Sequence, residues 1–195
     1  MIYLIAIIIS YLLGSVPMGL ILTKLAGKGD LRKVGSGNIG ATNVMRVGGL
    51  RMAGLVWLMD MAKAIAAVFI GKYLAGDAFG AWCGFAAIVG HCYPIWLRFK
   101  GGKGISSLFG VLLAVSPVSF AVCGIEWLVV ALASGISSLG AVIVFCLIPV
   151  LGFVISVQVG FAFLAIGLLC MWRHRENIKR LIAGVESKIE WKWKK

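Results

Sequence analysis

The segment GSGNIGATN, residues 35–43, combines closely spaced glycines with hydroxyl and amide side chains. Glycines let neighbouring backbone N–H groups crowd together and point at one anion. Arg46 follows the segment and can pair in a bidentate manner with a phosphate or a carboxylate. The segment therefore predicts an anion site, whose side-chain donors would be Ser36, Asn38, Thr42, Asn43 and Arg46.

The same spacing fits G-x-G-x-x-G, the glycine pattern of a dinucleotide-binding turn. That pattern has to follow a strand and open a helix within a βαβ unit, whereas an apolar stretch and a charged loop precede residue 35. A dinucleotide site is therefore not expected. The alternative to an anion site is a flexible polar connector that caps the next helix.

A second glycine-rich segment, GHCYPIWLRFKGGKG, covers residues 90–104. The glycines at its end predict a nest of backbone N–H donors with a lysine at its centre. The helix that follows would direct the positive end of its dipole at the same place. The spacing does not match a Walker A loop. A basic turn is the alternative interpretation, and we expect His91 to be structural rather than catalytic. The predicted nest consists of Gly101, Gly102, Lys103 and Gly104.

A third segment, RHRENIKRLIAGVESK, covers residues 173–188. His174, Asn177 and Arg180 are spaced i, i+3 and i+6, close to one helical face. Apolar residues on another face predict an amphipathic helix at the membrane surface. The tail that follows, IEWKWKK, has the composition of an interfacial anchor.

The composition excludes an ordinary soluble domain. Hydrophobic residues make up 61% of the 195-residue chain, charged residues 13%, and the mean hydropathy is +1.02. Soluble domains have about 45–50% apolar and about 25% charged residues. We therefore predict an all-α integral membrane protein, a polytopic helical bundle that forms a single domain over residues 1–195.

The net charge of +12 is concentrated in three basic segments that separate apolar stretches. The positive-inside rule places these segments in the cytoplasm, which puts the N-terminus outside and the C-terminus inside. Nucleic-acid binding is not expected, because the charge is divided among short loops. The same lysine and arginine side chains could also bind a substrate that carries a phosphate group.

The first three predicted spans cover residues 2–23, with a kink at Pro17, then 52–74 and 78–97. A kink in the membrane requires that a neighbour satisfies the freed carbonyl. Residues 105–172 should cross the membrane an even number of times, because the basic segments on both sides of them are placed in the cytoplasm. Breaks at 116–117, 133–138 and 149–152 favour four helices there, which gives seven spans, with five as the alternative.

Few other groups suggest chemistry. Asp60 and Lys63 are expected to pair within the second span and to hold the first basic loop. Glu126 is assigned no role. The five cysteines form no C-x-x-C pair, so we expect reduced thiols, and no metal or other cofactor is implied.

Together and in this order, the three segments resemble the acyl-phosphate-dependent glycerol-3-phosphate acyltransferases, the PlsY family. The residues that carry the resemblance are GSGNIGATNVMRVGG (35–49, the first motif), GHCYPIWLRFKGGKG (90–104, the second motif) and RHRENIKRLIAGVESK (173–188, the third motif). LMDMAKA at 58–64 is similar to a further family segment.

The resemblance implies a multi-pass enzyme of the bacterial inner membrane, with its active site on the cytoplasmic side. Such an enzyme moves a fatty acyl group from acyl phosphate to the 1-hydroxyl of glycerol 3-phosphate, giving lysophosphatidic acid and phosphate. Its implied partners are these two substrates, membrane lipid and an upstream enzyme that forms acyl phosphate.

The resemblance associates activity with residues of the first and third motifs, and acyl phosphate with the second motif. Glu186 also matches the third motif. The predicted catalytic residues are Ser36, Arg46, Lys103, His174 and Asn177, and the predicted acyl-phosphate-binding residues are Gly101, Gly102, Lys103 and Gly104. The predicted glycerol-3-phosphate-binding residues are Ser36, Asn38, Thr42, Asn43, Arg46, His174 and Asn177.

The residue chemistry agrees, because two phosphorylated substrates need two anion sites and acyl phosphate is already activated. No Ser-His-Asp or Cys-His arrangement is evident, so direct attack by the glycerol hydroxyl is expected. The proton could go to His174 or, as we favour, to a phosphate oxygen. The non-catalytic alternative is a transporter or channel for phosphate-bearing anions. A CDP-alcohol phosphotransferase would need clustered aspartates, which the sequence lacks.

Overall fold

The computed structural model describes residues 1–189, and all regular secondary structure within them is helical. Short 3₁₀ turns occur at Leu31–Lys33 and Ile95–Leu97. Most of the predicted interfacial tail, residues 190–195, lies outside the described residues. The α-helices are α1 (Ile2–Ser15), α2 (Met18–Leu25), α3 (Ala41–Cys92), α4 (Ile105–Val115), α5 (Pro117–Ser134), α6 (Ser137–Ile155), α7 (Val157–Arg173) and α8 (Arg175–Ile182).

The helices form two compact units, Met1–Ser116 and Pro117–Lys195. The first unit holds α1 to α4 and the first two motifs, and the second holds α5 to α8 and the third motif. The single functional domain over residues 1–195 stays a prediction.

The first predicted span is broken at Pro17, as expected. Val16 is extended there and separates α1 from α2. The carbonyl that Pro17 deprives of a helical N–H is that of Leu13, and it accepts the Val16 N–H at 3.3 Å instead. The Val16 carbonyl accepts the Met18 N–H at 3.1 Å and the Lys63 ammonium at 2.9 Å. The backbone at the break therefore satisfies the freed carbonyl, and a side chain of α3 adds a further contact there.

Helix α3 is a hairpin with two long arms. Non-helical angles at Gly49, Ala75 and Gly76 divide it into residues 41–48, 50–74 and 77–92. The long arms lie side by side, since a methyl group added at Gly71 would approach the Cα of Gly80 within 2.7 Å. These arms correspond to the predicted spans 52–74 and 78–97. The α-helix of the second arm ends at Cys92, and the 3₁₀ turn Ile95–Leu97 follows it within the helical stretch Ala41–Leu97.

Four helical stretches within residues 1–189 are long and apolar enough to cross a bilayer: Ile2–Leu25, Ala41–Leu97, Pro117–Ser134 and Ser137–Ile155. A fifth arises if α7 and α8, bent by 63°, count as one span. Helix α4 is apolar but shorter. The number of crossings and the orientation of the termini stay predictions.

Residues 105–172 contain the four predicted helices, but one predicted break is wrong. The chain breaks at Ser116 and at 135–136, as expected, whereas Pro149 lies inside α6. The third break falls at Ser156, whose side chain accepts the Val159 N–H and caps α7.

Gly167 lies beside the carbonyl that Pro149 deprives of its helical donor. A proline removes the N–H that would bind the carbonyl four residues earlier, here that of Phe145. A methyl group at Gly167 would approach that carbonyl oxygen within 2.8 Å, so the backbone of α7 packs directly against α6 at this point of the second unit.

Candidate functional site

The first motif is organised around the buried side chain of Asn43, which is 1% exposed. Its amide nitrogen donates to the carbonyls of Leu31, Val34 and Asn38 at 3.2, 2.9 and 2.8 Å. Its carbonyl oxygen accepts the Ser36 N–H at 3.0 Å. Asn43 was predicted to bind glycerol 3-phosphate, yet these polar atoms hold the loop together. Its position in the structure is that of a loop organiser.

The residues around Asn43 present side chains outward. Ser36, Thr42 and Arg46 are exposed. The Asn38 side chain accepts the Gly40 N–H at 2.8 Å and stabilises the turn before α3. Gly35 has a φ of 59°, which a residue with a side chain rarely adopts. A methyl group there would lie 3.4 Å from Cδ of Arg46, so the arginine stem passes beside the glycine.

An ion pair precedes the first motif. The Asp30 carboxylate accepts the Arg32 N–H at 3.0 Å and the Arg32 guanidinium at 2.7 Å. The hydrogen bonds from Arg32 lower the pKa of Asp30 to about 2. Asp30 therefore stays ionised and neutralises one cation of this loop across the physiological pH range.

The second motif contradicts part of the predicted nest of backbone donors. The N–H of Gly101 donates to the Cys92 carbonyl at 3.1 Å, and the N–H of Gly102 donates to the His91 carbonyl at 3.0 Å. Those two amides close the loop onto the end of α3, so their N–H groups serve the loop rather than an anion. Gly104 has a φ of 91° and caps α4, which begins at Ile105 as expected.

Lys103 is half-buried between the loop and the start of α4. The first N–H groups of a helix have no acceptor within that helix, and they carry its positive end. Lys103 and the first turn of α4 therefore form the cationic end of the second motif, which also carries the exposed Arg98 and Lys100. The buried hydroxyl of Ser107 donates to the Asp60 carbonyl at 3.3 Å and fixes α4 against α3.

The first two motifs rest on one hydrophobic cluster. Leu97 of the second motif packs against a buried group that includes Leu31, Ile39 and Val44. Helix α2 supports the same region, since Gly19 lies directly against the Ile39 carbonyl. Trp96 donates to the Ser15 hydroxyl at 2.8 Å and ties the second motif to α1. The structure therefore brings together the two motifs predicted to bind anions.

In the second unit, His174 occupies the bend between α7 and α8 and is 4% exposed. Its Nδ1 lies 2.9 Å from the Cys170 carbonyl oxygen, and its ring contacts Phe145 with 4.9 Å between centroids. A carbonyl only accepts, so Nδ1 carries the proton. Nε2 is then the nitrogen that can accept a proton.

Glu186 accepts hydrogen bonds from both α6 and α8 in the second unit, a role that the sequence did not reveal. It accepts from the Asn177 amide at 2.6 Å, the Ser138 hydroxyl at 2.9 Å and the Arg180 guanidinium at 2.6 Å. Burial by itself raises the pKa of Glu186, but these hydrogen bonds outweigh it and hold the pKa below 4.5. Asn177, a predicted substrate ligand, is thus held by a carboxylate.

The amphipathic helix predicted in the third motif is confirmed as α8. Ile182 and Val185 are 84% and 67% exposed, so this apolar face is uncovered in the chain itself. The five cysteines are free, as expected. Within residues 1–189, no group of three or more His, Cys, Asp or Glu residues could hold a metal ion.

Residues 4–184 match the family model described as glycerol-3-phosphate acyltransferase. The chain belongs to this family. The Rhizobium etli (strain ATCC 51251) glycerol-3-phosphate acyltransferase is 46% identical over 185 residues, which cover 94% of this chain and 90% of the relative. The Mesorhizobium japonicum glycerol-3-phosphate acyltransferase is 42% identical and covers 95% of each chain.

Solved structures extend the likeness to the whole fold. The glycerol-3-phosphate acyltransferase fold seen here matches a crystal structure of PlsY, an integral membrane enzyme, in its glycerol 3-phosphate form. The TM-score is 0.91 at 38% identity, over 96% of each chain. The lysophosphatidic acid form matches with a TM-score of 0.88 at 36% identity, over 95% of this chain and 94% of that one. The prediction of an all-α integral membrane protein of the PlsY family is confirmed.

Proposed function

We propose that this glycerol-3-phosphate acyltransferase uses acyl phosphate as its donor and releases lysophosphatidic acid and inorganic phosphate. The shared hydrophobic cluster beneath the first two motifs carries the proposal. It places two glycine-rich, cationic loops side by side in the first unit, with Leu97 as the joining residue. A reaction between two phosphorylated molecules needs two neighbouring anion sites, and these loops supply them.

The proposed reaction is a direct transfer. The 1-hydroxyl oxygen of glycerol 3-phosphate attacks the carbonyl carbon of acyl phosphate, and the bond from that carbon to the phosphate oxygen breaks. The hydroxyl proton leaves with inorganic phosphate or passes to a protein base. Because phosphate is a good leaving group, holding both reactants in line and neutralising their charge is sufficient for catalysis.

The side chains divide between the two substrates in this proposal. Exposed Ser36 and Arg46, together with Thr42, bind glycerol 3-phosphate. Lys103 and the first turn of α4 bind the acyl phosphate. Asn43 contributes by holding the loop that carries Ser36, as its hydrogen bonds to that loop support.

His174 and Asn177 act on the same reactants in this proposal. Two proton routes follow from the protonated Nδ1 of His174. If Nε2 accepts the hydroxyl proton, kcat falls steeply in His174→Ala, and the native protein shows an acidic limb in its kcat profile that the variant lacks. If a phosphate oxygen accepts it, as we favour, His174→Ala mainly raises the KM for glycerol 3-phosphate, and the two pH profiles have the same shape.

We further propose that the enzyme lies in the bacterial plasma membrane with all three motifs on the cytoplasmic side. The concentration of lysine and arginine in and beside the motifs supports this orientation. Single cysteines introduced at Ser36 and Arg180 should be labelled from the same side by a membrane-impermeant maleimide. Labelling from opposite sides would contradict the shared site.

The decisive experiment compares donors. Purified protein in detergent receives labelled glycerol 3-phosphate with palmitoyl phosphate, palmitoyl-CoA or palmitoyl acyl carrier protein in parallel. We expect lysophosphatidic acid only with palmitoyl phosphate, the product of an upstream acyl-phosphate-forming enzyme. Turnover only with thioesters would overturn the donor assignment and leave the acyltransferase family intact. Product formation in detergent would also exclude the transporter alternative, since no second compartment is present.

A further inference from the structure

A buried ionic cluster lies where α3 meets the second motif. Its members are Asp60, Lys63 and His91, whose side chains are 2%, 5% and 4% exposed. Lys63 Nζ lies 2.7 Å from Asp60 Oδ1 and 3.2 Å from His91 Nδ1. The predicted Asp60–Lys63 pair is confirmed, but its contacts reach the second motif rather than the first loop that it was expected to hold.

The hydrogen bonds of Lys63 determine the tautomer of His91. An ammonium has three N–H groups and no lone pair. The ammonium pairs with Asp60 Oδ1 as an ion pair and lies within hydrogen-bond distance of the Val16 carbonyl and of His91 Nδ1. His91 Nδ1 also lies 3.5 Å from Asp60 Oδ1, but its contact with the ammonium is shorter, at 3.2 Å. Because an ammonium can only donate, the tautomer that fits this shorter contact has Nδ1 as the acceptor and the proton on Nε2.

The other edge of His91 faces the second motif. Gly102 lies so close to His91 Nε2 that a methyl group on Gly102 would collide with the ring. The His91 carbonyl also accepts the Gly102 N–H at 3.0 Å. One residue thus holds Gly102 from two directions, immediately before Lys103.

We propose that Lys63 and His91 are positioning residues that set the second motif for catalysis. Lys63 orients the imidazole and keeps the proton on Nε2, and the Nε2 edge of His91 sets the path of the backbone at Gly102. This path determines where Lys103 and the start of α4 meet the substrate phosphate. The inference rests on the proposed role of the second motif in substrate binding.

Stability alone gives no strong reason for this cluster. Replacing a buried ion pair by apolar residues of similar size is often neutral or stabilising. A charged group within an apolar helix is costly unless it serves a partner. Here the lysine reaches both the Val16 carbonyl, at the break between α1 and α2, and the ring beside Gly102, so one ammonium contacts the break and the second motif.

The tautomer can be measured without altering the cluster. The chain has two histidines, and their bonds require opposite tautomers, with the proton on Nε2 in His91 and on Nδ1 in His174. Solid-state NMR of the full protein, ¹⁵N-labelled at histidine and reconstituted in phospholipid, should show one of each. His174→Gln assigns the remaining signal. A His91 with Nδ1 protonated would overturn the inference.

Two substitutions separate positioning from stability. His91→Asn retains an acceptor for Lys63 but leaves the Nε2 position empty, whereas His91→Gln retains an N–H near that position. We expect His91→Asn to raise the KM for palmitoyl phosphate at least about tenfold and His91→Gln to raise it about threefold or less, since small misplacements of reactants are costly. The KM for glycerol 3-phosphate should stay unchanged in both. The opposite order, or equal increases for both substrates, would contradict a positioning role.

A double substitution tests the contact itself. Gly102→Ala should be damaging with His91 present, because the added methyl group meets the ring. Gly102→Ala combined with His91→Asn should cost less than the product of the two separate losses, since residues in contact are not additive. Strict multiplicativity of the losses would show that the ring does not constrain Gly102.

Lys103→Ala separates this inference from the proposed function. If it leaves both KM values and kcat unchanged, the second motif has no role in binding and both proposals fail. If it raises the KM for palmitoyl phosphate while His91→Asn does not, only the positioning role of His91 fails.

Discussion

The backbone N–H of Ser36 donates to the Asn43 side chain at 3.0 Å, so a residue of α3 fixes the glycine-rich loop seven positions before it. The Asn43 side chain is buried, whereas Ser36 is exposed. Two polar residues of one motif therefore have different tasks. Asn43 shapes the loop, and the exposed side chain of Ser36 is the one that contacts substrate in the proposed site.

Asn43→Ala should destabilise the protein. The substitution removes the donor for three carbonyls and the acceptor for the Ser36 N–H. Leaving such buried groups unpaired costs about 1–3 kcal/mol. We expect a lower thermal unfolding temperature in detergent together with reduced activity. Lys33→Gln, on the exposed 3₁₀ turn of the same loop, is the control and should leave both unchanged. An Asn43→Ala variant with native stability would contradict the organising role.

Ser36→Ala, unlike Asn43→Ala, should reduce activity without reducing stability. The side chain is exposed, and the hydrogen bond to Asn43 uses the Ser36 backbone, which the substitution retains. We therefore expect an unchanged unfolding temperature and a large fall in kcat/KM for glycerol 3-phosphate. The measurements are thermal unfolding and initial rates at varied glycerol 3-phosphate. A variant with native kinetics would remove Ser36 from the proposed site.

The sequence predicts which segments of this protein are helical, but it predicts only some of the positions at which the helices end. Pro17 and Pro149 carry the same local signal, yet the first separates two helices and the second lies within one. The local signal therefore does not distinguish the two prolines, and the carbonyl beside Pro149 lies in a close helix contact with Gly167. Such a contact depends on packing between distant parts of the chain. By contrast, Ser156 carries a local capping signal that marks the true break.

The site residues show the same division. Residue types and glycine spacing identify the two motifs, and the structure places them on one cluster. Residue types and spacing do not reveal whether a hydrogen-bond donor binds the loop itself or a ligand, since that depends on the path of the backbone. The amides of Gly101 and Gly102 close their own loop for this reason. Contacts across long sequence separation, such as that of Lys63 with His91, leave no periodic signal.

Gly71→Ala should impair folding of the α3 hairpin. The added methyl group would lie 2.7 Å from the Cα of Gly80 and 2.8 Å from Sγ of Cys83. Overpacking of this kind costs about 1–3 kcal/mol. Gly54→Ala in the same arm is the control, because nothing lies within 4 Å of its added methyl group. We expect lower yield and unfolding temperature for the first variant and no loss for the second. Equal behaviour would mean that the arms do not pack at Gly71.

Glu186→Gln should destabilise the second unit at neutral pH. The neutral amide can still accept from Ser138 and Asn177 but loses the charged partner of Arg180, a contact of 2.6 Å. Hydrogen bonds to charged groups contribute about 1.5–3 kcal/mol each. Glu176→Gln in α8 is the matched control, since its pairs with Arg175 and Lys179 are exposed and such pairs contribute about 0–1 kcal/mol. Thermal unfolding at pH 7 compares the two.

The stabilisation by Glu186 should also depend on pH. Hydrogen bonds from Asn177, Arg180 and Ser138 outweigh burial and hold the folded pKa of Glu186 below 4.5. A depressed folded pKa stabilises the native state fully above the unfolded pKa, and this stabilisation is lost as pH falls through the folded value. The difference in unfolding temperature between the native protein and Glu186→Gln should therefore be constant from pH 7 to pH 6 and shrink below about pH 4.5. A difference that grows on acidification would mean that burial, rather than hydrogen bonding, dominates at this carboxylate.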